Sequence, residues 1–166
     1  MYRRMTVFGL TIDPFTNSPI MILKDSEGGE KSMPIWIGLL EATAIASELE
    51  KVRFSRPMTH DLLKNILDQM GARVSKVEVC DLKNNTFYAL IHLLTGEKAM
   101  TIDARPSDAI ALALRTESPI FVSDDVIERS MRVDSGAKEE IAGDEGKKWT
   151  DILENLNPED FGKYKM

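Results

Sequence analysis

Residues 102–115 read Ile-Asp-Ala-Arg-Pro-Ser-Asp-Ala-Ile-Ala-Leu-Ala-Leu-Arg, and they constrain the fold more than any other stretch of the chain. From Ala109 to Leu114 the run is apolar on every face of a helix, and a helix with that pattern is buried. Asp103, Arg105, Asp108 and Arg115 bracket it. Charges at the ends of a buried helix sit at the edge of the core, where an unpaired ion is costly. These side chains must either neutralise one another or be required by a partner outside the chain.

The chain has 166 residues, 43% of them hydrophobic, which suits one domain with a substantial core. No apolar run reaches the length of a membrane span. The opening Met1-Tyr2-Arg3-Arg4-Met5 leads into a strand-like pattern and not a signal peptide. We expect a cytoplasmic protein with no membrane association. Cys80 is the single cysteine, so no internal disulfide forms, and a packed thiol in a reducing compartment is expected. Two histidines and one cysteine are too few for a structural zinc site of the usual kind.

The formal net charge of −6 excludes a strongly basic nucleic-acid footprint over the whole surface. The charge is unevenly placed. Residues 134–166 hold nine acidic and five basic side chains, and residues 1–133 hold eighteen and sixteen. The main body is near balance and leaves room for a local basic surface drawn from Arg3, Arg4, Arg53, Arg56 and Arg73. The same arginines also fit an ordinary solvated surface.

Patterning predicts strands over Met5–Ile12, Pro19–Lys24 and Met33–Ile37, with the Gly28-Gly29 turn joining the second and third into a meander. A helix is predicted over Leu39–Glu50, with Ala42, Ile45, Ala46 and Leu49 on one face. A second runs from Thr59 to Met70, with an apolar stripe of Leu62, Leu63, Ile66, Leu67 and Met70 and a stop at Gly71. Arg73–Leu82 and Thr86–Leu94 read as a hairpin turning at Lys83-Asn84-Asn85. The second of these strands is apolar on both faces and is expected to be central or to meet another subunit. A strand over Ala99–Asp103, the buried helix Ser107–Arg115, a strand over Pro119–Val122 and a helix opening at Asp124 follow. The fold class is α+β: a mixed, largely antiparallel sheet with three main helices packed on it, plus a C-terminal helix. Residues 1–133 form the domain, 134–147 read as a flexible linker, and 148–166 as an amphipathic tail built on Trp149, Ile152, Leu153 and Leu156.

Three helices begin with an acid in the first turn: Glu41, Asp61 and Asp108. Acids there complement the helix dipole, and Thr59 and Ser107 are natural N-caps. If the helix starts lie together, the same acids could share a hard cation such as Mg²⁺ or Mn²⁺, which favours oxygen ligands and activates water. His60 stands at the positive end of a helix dipole, which favours the neutral imidazole, able to act as base or ligand. His92, within an apolar strand, reads as a core histidine bonded to a neighbour. Arg105 and Asp108 are close enough in sequence to pair. Arg56 and Arg105 each precede a proline that holds them extended, and a rigidly presented guanidinium suits phosphate or a structural ion pair equally. Arg56-Pro57 before Thr59-His60-Asp61 is echoed by Arg105-Pro106 before Ser107-Asp108. No P-loop, Gly-x-Gly-x-x-Gly, nucleophile elbow or Cys-x-x-Cys is present. Cys80 lies beside Asp81, which raises a thiol pKa, so a catalytic cysteine is not expected.

Pro34-Ile35-Trp36-Ile37-Gly38 with Glu41-Ala42, Arg56-Pro57-x-Thr59-His60-Asp61-Leu62-Leu63, Thr86-Phe87-Tyr88-Ala89, and Ile102-Asp103-Ala104-Arg105-Pro106-Ser107-Asp108-Ala109-Ile110-Ala111-Leu112-Ala113 resemble the bifunctional nuclease family of bacteria and plants over about residues 5–130. The resemblance implies a mixed α/β domain that assembles as an oligomer, in the first instance a homodimer, and a nuclease acting on DNA and RNA. Some family members carry a C-terminal helical hairpin, for which the tail here is too short.

Two readings follow. In the first the chain is a nuclease of low sequence specificity that binds DNA or RNA weakly. Glu41, His60, Asp61 and Asp108 are then the catalytic candidates. Arg56, Arg105 and Ser107 hold phosphate, and Asp103 and Asp108 hold a divalent cation. In the second it is a non-catalytic oligomeric binding or regulatory domain, in which Asp103, Arg105 and Asp108 form a structural network.

Overall fold

A computed structural model describes residues 1–133; the expected linker and the C-terminal tail lie outside the described residues. The elements run β1 (Tyr2–Ile12), β2 (Pro19–Asp25), β3 (Ser32–Trp36), α1 (Leu39–Leu49), α2 (Thr59–Gln69), β4 (Ala72–Lys83), β5 (Thr86–Thr95), β6 (Lys98–Ala104), α3 (Pro106–Thr116), β7 (Ile120–Ser123) and α4 (Asp124–Val133). The strands form one seven-stranded sheet in the order β3-β2-β1-β7-β4-β5-β6. Two antiparallel meanders, β1–β3 and β4–β6, flank β7, which pairs antiparallel with β1 and parallel with β4. Asn84 and Asn85 both take positive φ, 50° and 59°, which is what a two-residue turn between twisted strands requires.

One core runs the length of the sheet. Met21, Leu23, Met33, Val77, Val79 and Val122 are fully buried from the strands, and Ile45, Ile110, Leu112, Val126 and Ile127 from the helices. The apolar run in α3 is buried as its composition demands, from Ala109 through Ala113. It packs on β4 and β5 and lies between α1 and α2. Strand β5 turns Ala89, Ile91 and Leu93 to the core, but it is second from the sheet edge, between β4 and β6, and not central; Leu90 and Leu94 on its other face are half-buried. Strand β6 is one edge of the sheet and β3 the other, and Met100 and Ile102 on β6 are exposed.

The structure corrects three expectations. The α2 stripe is not core: Leu62, Leu63, Ile66 and Met70 are 36 to 69% exposed, and of the five only Leu67 packs against the core. Periodicity reports that a helix has an apolar face, not that this chain covers it. The N-caps are Met58 and Arg105, not Thr59 and Ser107. Pro106 takes the first helical position of α3, where its missing N–H is not needed, and so moves Ser107 inside the helix. Strand β1 also starts earlier than predicted, because Tyr2–Met5 pair with β7, a partner distant in sequence.

Candidate active site

With Gly38, Met58 and Arg105 as N-caps, Glu41, Asp61 and Asp108 each stand at the third helical position of α1, α2 and α3. That position faces the unpaired N–H groups and the positive dipole end, so each carboxylate is favoured by its own helix. Tertiary packing then brings two of the three to one guanidinium. Arg105 donates from Nη1 to Glu41 Oε1 at 2.8 Å and from Nε to Asp108 Oδ2 at 2.7 Å. The second oxygen of Asp108 lies 3.0 Å from His60 Nε2. A continuous ionic chain, Glu41–Arg105–Asp108–His60, therefore links the starts of three helices. The two Arg-Pro helix starts are not equivalent: Arg105 is the N-cap and Pro106 the first residue of α3, whereas Arg56-Pro57 precede the Met58 N-cap of α2.

Glu41 reaches Arg105 by folding back over Gly38. A Cβ at residue 38 would stand 2.1 Å from Glu41 Oε2, closer than any side chain tolerates. Burial alone would push the Asp108 carboxyl up, but hydrogen bonds from Arg105 and His60 outweigh it and hold Asp108 below the ordinary carboxylate range. Asp108 is ionised at neutral pH, so the hydrogen in the His60 bond is assigned to Nε2, which donates. In the neutral ring the lone pair is then on Nδ1, for which there is no hydrogen-bond partner among the described residues. Bonds to Asp108 and then Glu41 push Arg105 up, and its side chain is 65% exposed.

Asp61 belongs to a different device. Its Oδ1 accepts from Arg115 Nε at 2.7 Å and its Oδ2 from the Met58 amide at 3.0 Å. Arg115 is 4% exposed and also donates to the carbonyls of Ala44 and Ala111 at 2.9 Å, clamping α1, α2 and α3 together. Here too burial would raise the carboxyl, and Arg115 and the Met58 amide bring it below its ordinary value.

The remaining candidates do not join the ionic chain. Ser107 is buried in the first turn of α3. Arg56 is exposed beside a separate cleft and has no partner among the described residues. Asp103 is exposed on β6 opposite Leu90, so a shared site of Asp103 and Asp108 is not assembled, nor is a network of Asp103, Arg105 and Asp108. Among the described residues no three His, Cys, Asp or Glu side chains are grouped to hold a metal ion. Both Asp108 oxygens and one of Glu41 are engaged by Arg105 and His60, and the guanidinium occupies the place between the carboxylates that a cation would take. The residues as arranged do not fit a divalent cation.

Sequence reasoning did not single out Glu78 as a site residue. It binds Lys76 through Oε1, and His92 Nε2 through Oε2 at 2.7 Å. His92 is bonded to a neighbour as expected, but it is half-buried on the face of β5 away from Ala89, Ile91 and Leu93 and is not a core histidine. The detectable signal was the two-residue spacing of Lys76 and Glu78, which puts both on one face of a strand.

The fold and this helix-start cluster define a single α+β domain with a polar, histidine-containing ionic site beside a buried helix. A family model described as the bifunctional nuclease domain matches residues 21–134, and the chain belongs to that family. An uncharacterized protein of Mycobacterium tuberculosis is 34% identical over 160 residues, covering 93% of this chain and 95% of its own length. Bifunctional nuclease 2 of Arabidopsis thaliana is 29% identical over 106 residues, 62% of this chain. Bifunctional nuclease 1 of rice is 26% identical over 106 residues. The matched part is 32% of the length of either plant protein.

Proposed function

We propose that the chain is a nuclease of low sequence specificity that hydrolyses phosphodiester bonds in DNA and RNA, with His60, Asp108, Arg105 and Glu41 as its reacting group. The observation that carries this reading is the shared carboxylate. Asp108 holds the His60 ring by Nε2 and Arg105 by Nε, so the base and the phosphate-binding cation are set in one frame. Neutral His60 takes a proton from water at Nδ1 while the water oxygen bonds to phosphorus. Asp108 stabilises the resulting imidazolium. Arg105 uses Nε and Nη1 on its carboxylates and has Nη2 left for a non-bridging phosphate oxygen, where charge develops. The bond from phosphorus to the leaving oxygen breaks on the side opposite the attacking water, that oxygen takes a proton from solvent water, and the imidazolium returns its proton to solvent. Water as nucleophile needs no 2′-hydroxyl, which is why both DNA and RNA are substrates.

The acidic balance of the chain fits weak binding without sequence readout. The plant relatives' names support the activity class. The test is cleavage of single- and double-stranded DNA and RNA in Mg²⁺, in Mn²⁺ and in EDTA, which also reads any metal requirement. Purified wild type no more active than the His60→Ala/Asp108→Ala double variant ends the proposal and leaves the non-catalytic domain as the better account.

A further inference from the structure

A cleft of about 340 Å³ opens between the end of α1, the 50–58 loop, the start of α2 and the end of α3. His60 and Asp61 are adjacent in the first turn of α2 and diverge by about 100°. His60 turns to Asp108, and Asp61 lines the cleft. The cleft and the reacting group are therefore neighbours on two sides of one helical turn.

The charge of its lining runs against that of the chain. Arg53, Arg56, Lys64 and Arg115 line it, against only Glu48 and Asp61. Both carboxylates are already neutralised: Glu48 by Arg53 at 3.0 Å and by Lys51 at 3.6 Å, Asp61 by Arg115 at 2.7 Å. Lys64 pairs across one turn with Asp68, an exposed pair that an anion displaces cheaply. Arg56 has no partner among the described residues, and Pro57 restricts its backbone. A surplus of cations around a concave space, one of them unpaired, is the arrangement that takes a phosphate, and a planar guanidinium binds its oxygens in pairs. The volume lies at the small end of ligand pockets, roughly 300–1,000 Å³. It has room for one nucleotide unit and none for a duplex, and Val52 and Phe54 supply apolar wall beside the cations.

We propose that this cleft is a phosphate subsite that holds one nucleotide unit of a single strand, with Arg56 as its anchoring cation. The identity of the ligand rests on the nuclease reading; the anion site rests on the cleft itself. The test is titration of the full chain with a 5′-phosphorylated deoxydinucleotide in EDTA at low salt. Arg56→Ala weakens binding about tenfold, the scale of one charge-assisted hydrogen-bond pair, and Arg56→Lys falls between it and wild type. The matching nucleoside, which carries no phosphate, binds wild type no more tightly than the phosphorylated probe binds Arg56→Ala. Arg4→Ala, which removes an exposed charge on β1, leaves binding unchanged.

No binding by wild type, equal affinity in Arg56→Ala, or an equal loss in Arg4→Ala overturns the subsite. Inorganic phosphate binding as tightly as the dinucleotide overturns its nucleotide character. The two proposals fail separately. Arg56-dependent binding without cleavage of any substrate sinks the nuclease and keeps the subsite. Cleavage with KM unchanged in Arg56→Ala sinks the subsite and keeps the nuclease.

Discussion

Two regions of this molecule hold a histidine and a cation on the two oxygens of one carboxylate. In the helix cluster Asp108 bridges His60 and Arg105; in the sheet cluster Glu78 bridges His92 and Lys76. In both, burial raises the carboxyl and the two partners more than compensate, leaving it below its ordinary value. The difference is in presentation. The sheet cluster comes from one hairpin, with Lys76 directly opposite His92, and the Glu78 side chain is only 10% exposed within it. The helix cluster joins three helix starts, adds a second carboxylate at Glu41, and leaves its arginine open to solvent. The same three groups can close on themselves or be held ready for a fourth, and composition does not tell which.

The comparison breaks most decisively on activity. Asp108→Asn is expected to lower kcat by about a hundredfold or more, the usual range for losing a general base or its orienting group. Glu78→Gln should stay within about twofold of wild type. Equal losses measured on the same substrate would erase the distinction between the clusters.

The next effect is on stability. Asp61→Ala strands the buried Arg115, and urea unfolding should show a loss of about 2–3 kcal/mol, somewhat below the usual 3–5 because two carbonyls still hold the guanidinium. Glu78→Ala leaves Lys76, 39% exposed, free to rehydrate. The expected loss there is about 1 kcal/mol. A larger loss from Glu78→Ala than from Asp61→Ala would reverse this ranking.

Acid should treat both clusters alike. Asp61, Asp108 and Glu78 are depressed in the folded protein. Each then contributes stability that is fully present above its unfolded pKa, about 4, and is lost as pH falls through the lower folded value. Urea midpoints should hold from pH 7 to about 5 and drop below about 4. Asp108→Asn should flatten part of that drop, and a drop of unchanged size in the variant would refute its assignment. The smallest effect concerns Cys80. Burial pushes its thiol up, with Asp81 adding to the shift, so it is protonated at neutral pH. Iodoacetamide should label it more slowly than a free model thiol, and Cys80→Ser should leave cleavage within about twofold.

Much of this was legible in the chain because it is local. Strand alternation, the turn expected at Lys83-Asn84-Asn85 and the all-apolar α3 are consequences of neighbours; the turn tightens to Asn84-Asn85, with Lys83 taken into β4, and the others stand close to where patterning puts them. The acids at helix starts were legible too, since the dipole acts within one turn. The Arg105–Asp108 pair was legible from its three-residue spacing, but the long-range partners were not. Nothing near Asp61 or Asp108 in sequence says that one clamps Arg115 and the other faces His60. Those fates are decided by how α2 lies against α3. The exposed stripe on α2 was misread for the same reason: period 3.6 describes a face, and its cover belongs to tertiary structure.

Strand β7 is four residues long, yet it is the seam of the sheet. The two meanders on either side are self-contained in sequence, each built from consecutive strands. Until residues 120–123 leave the ribosome, β1 and β4 are both raw edges, and unpaired edges invite pairing with other chains. Helix α3, which carries Asp108, sits immediately before that strand. The strand that closes the sheet follows directly on the helix that carries Asp108, so both reach a nascent chain only after the six other strands and the first two helices have been made.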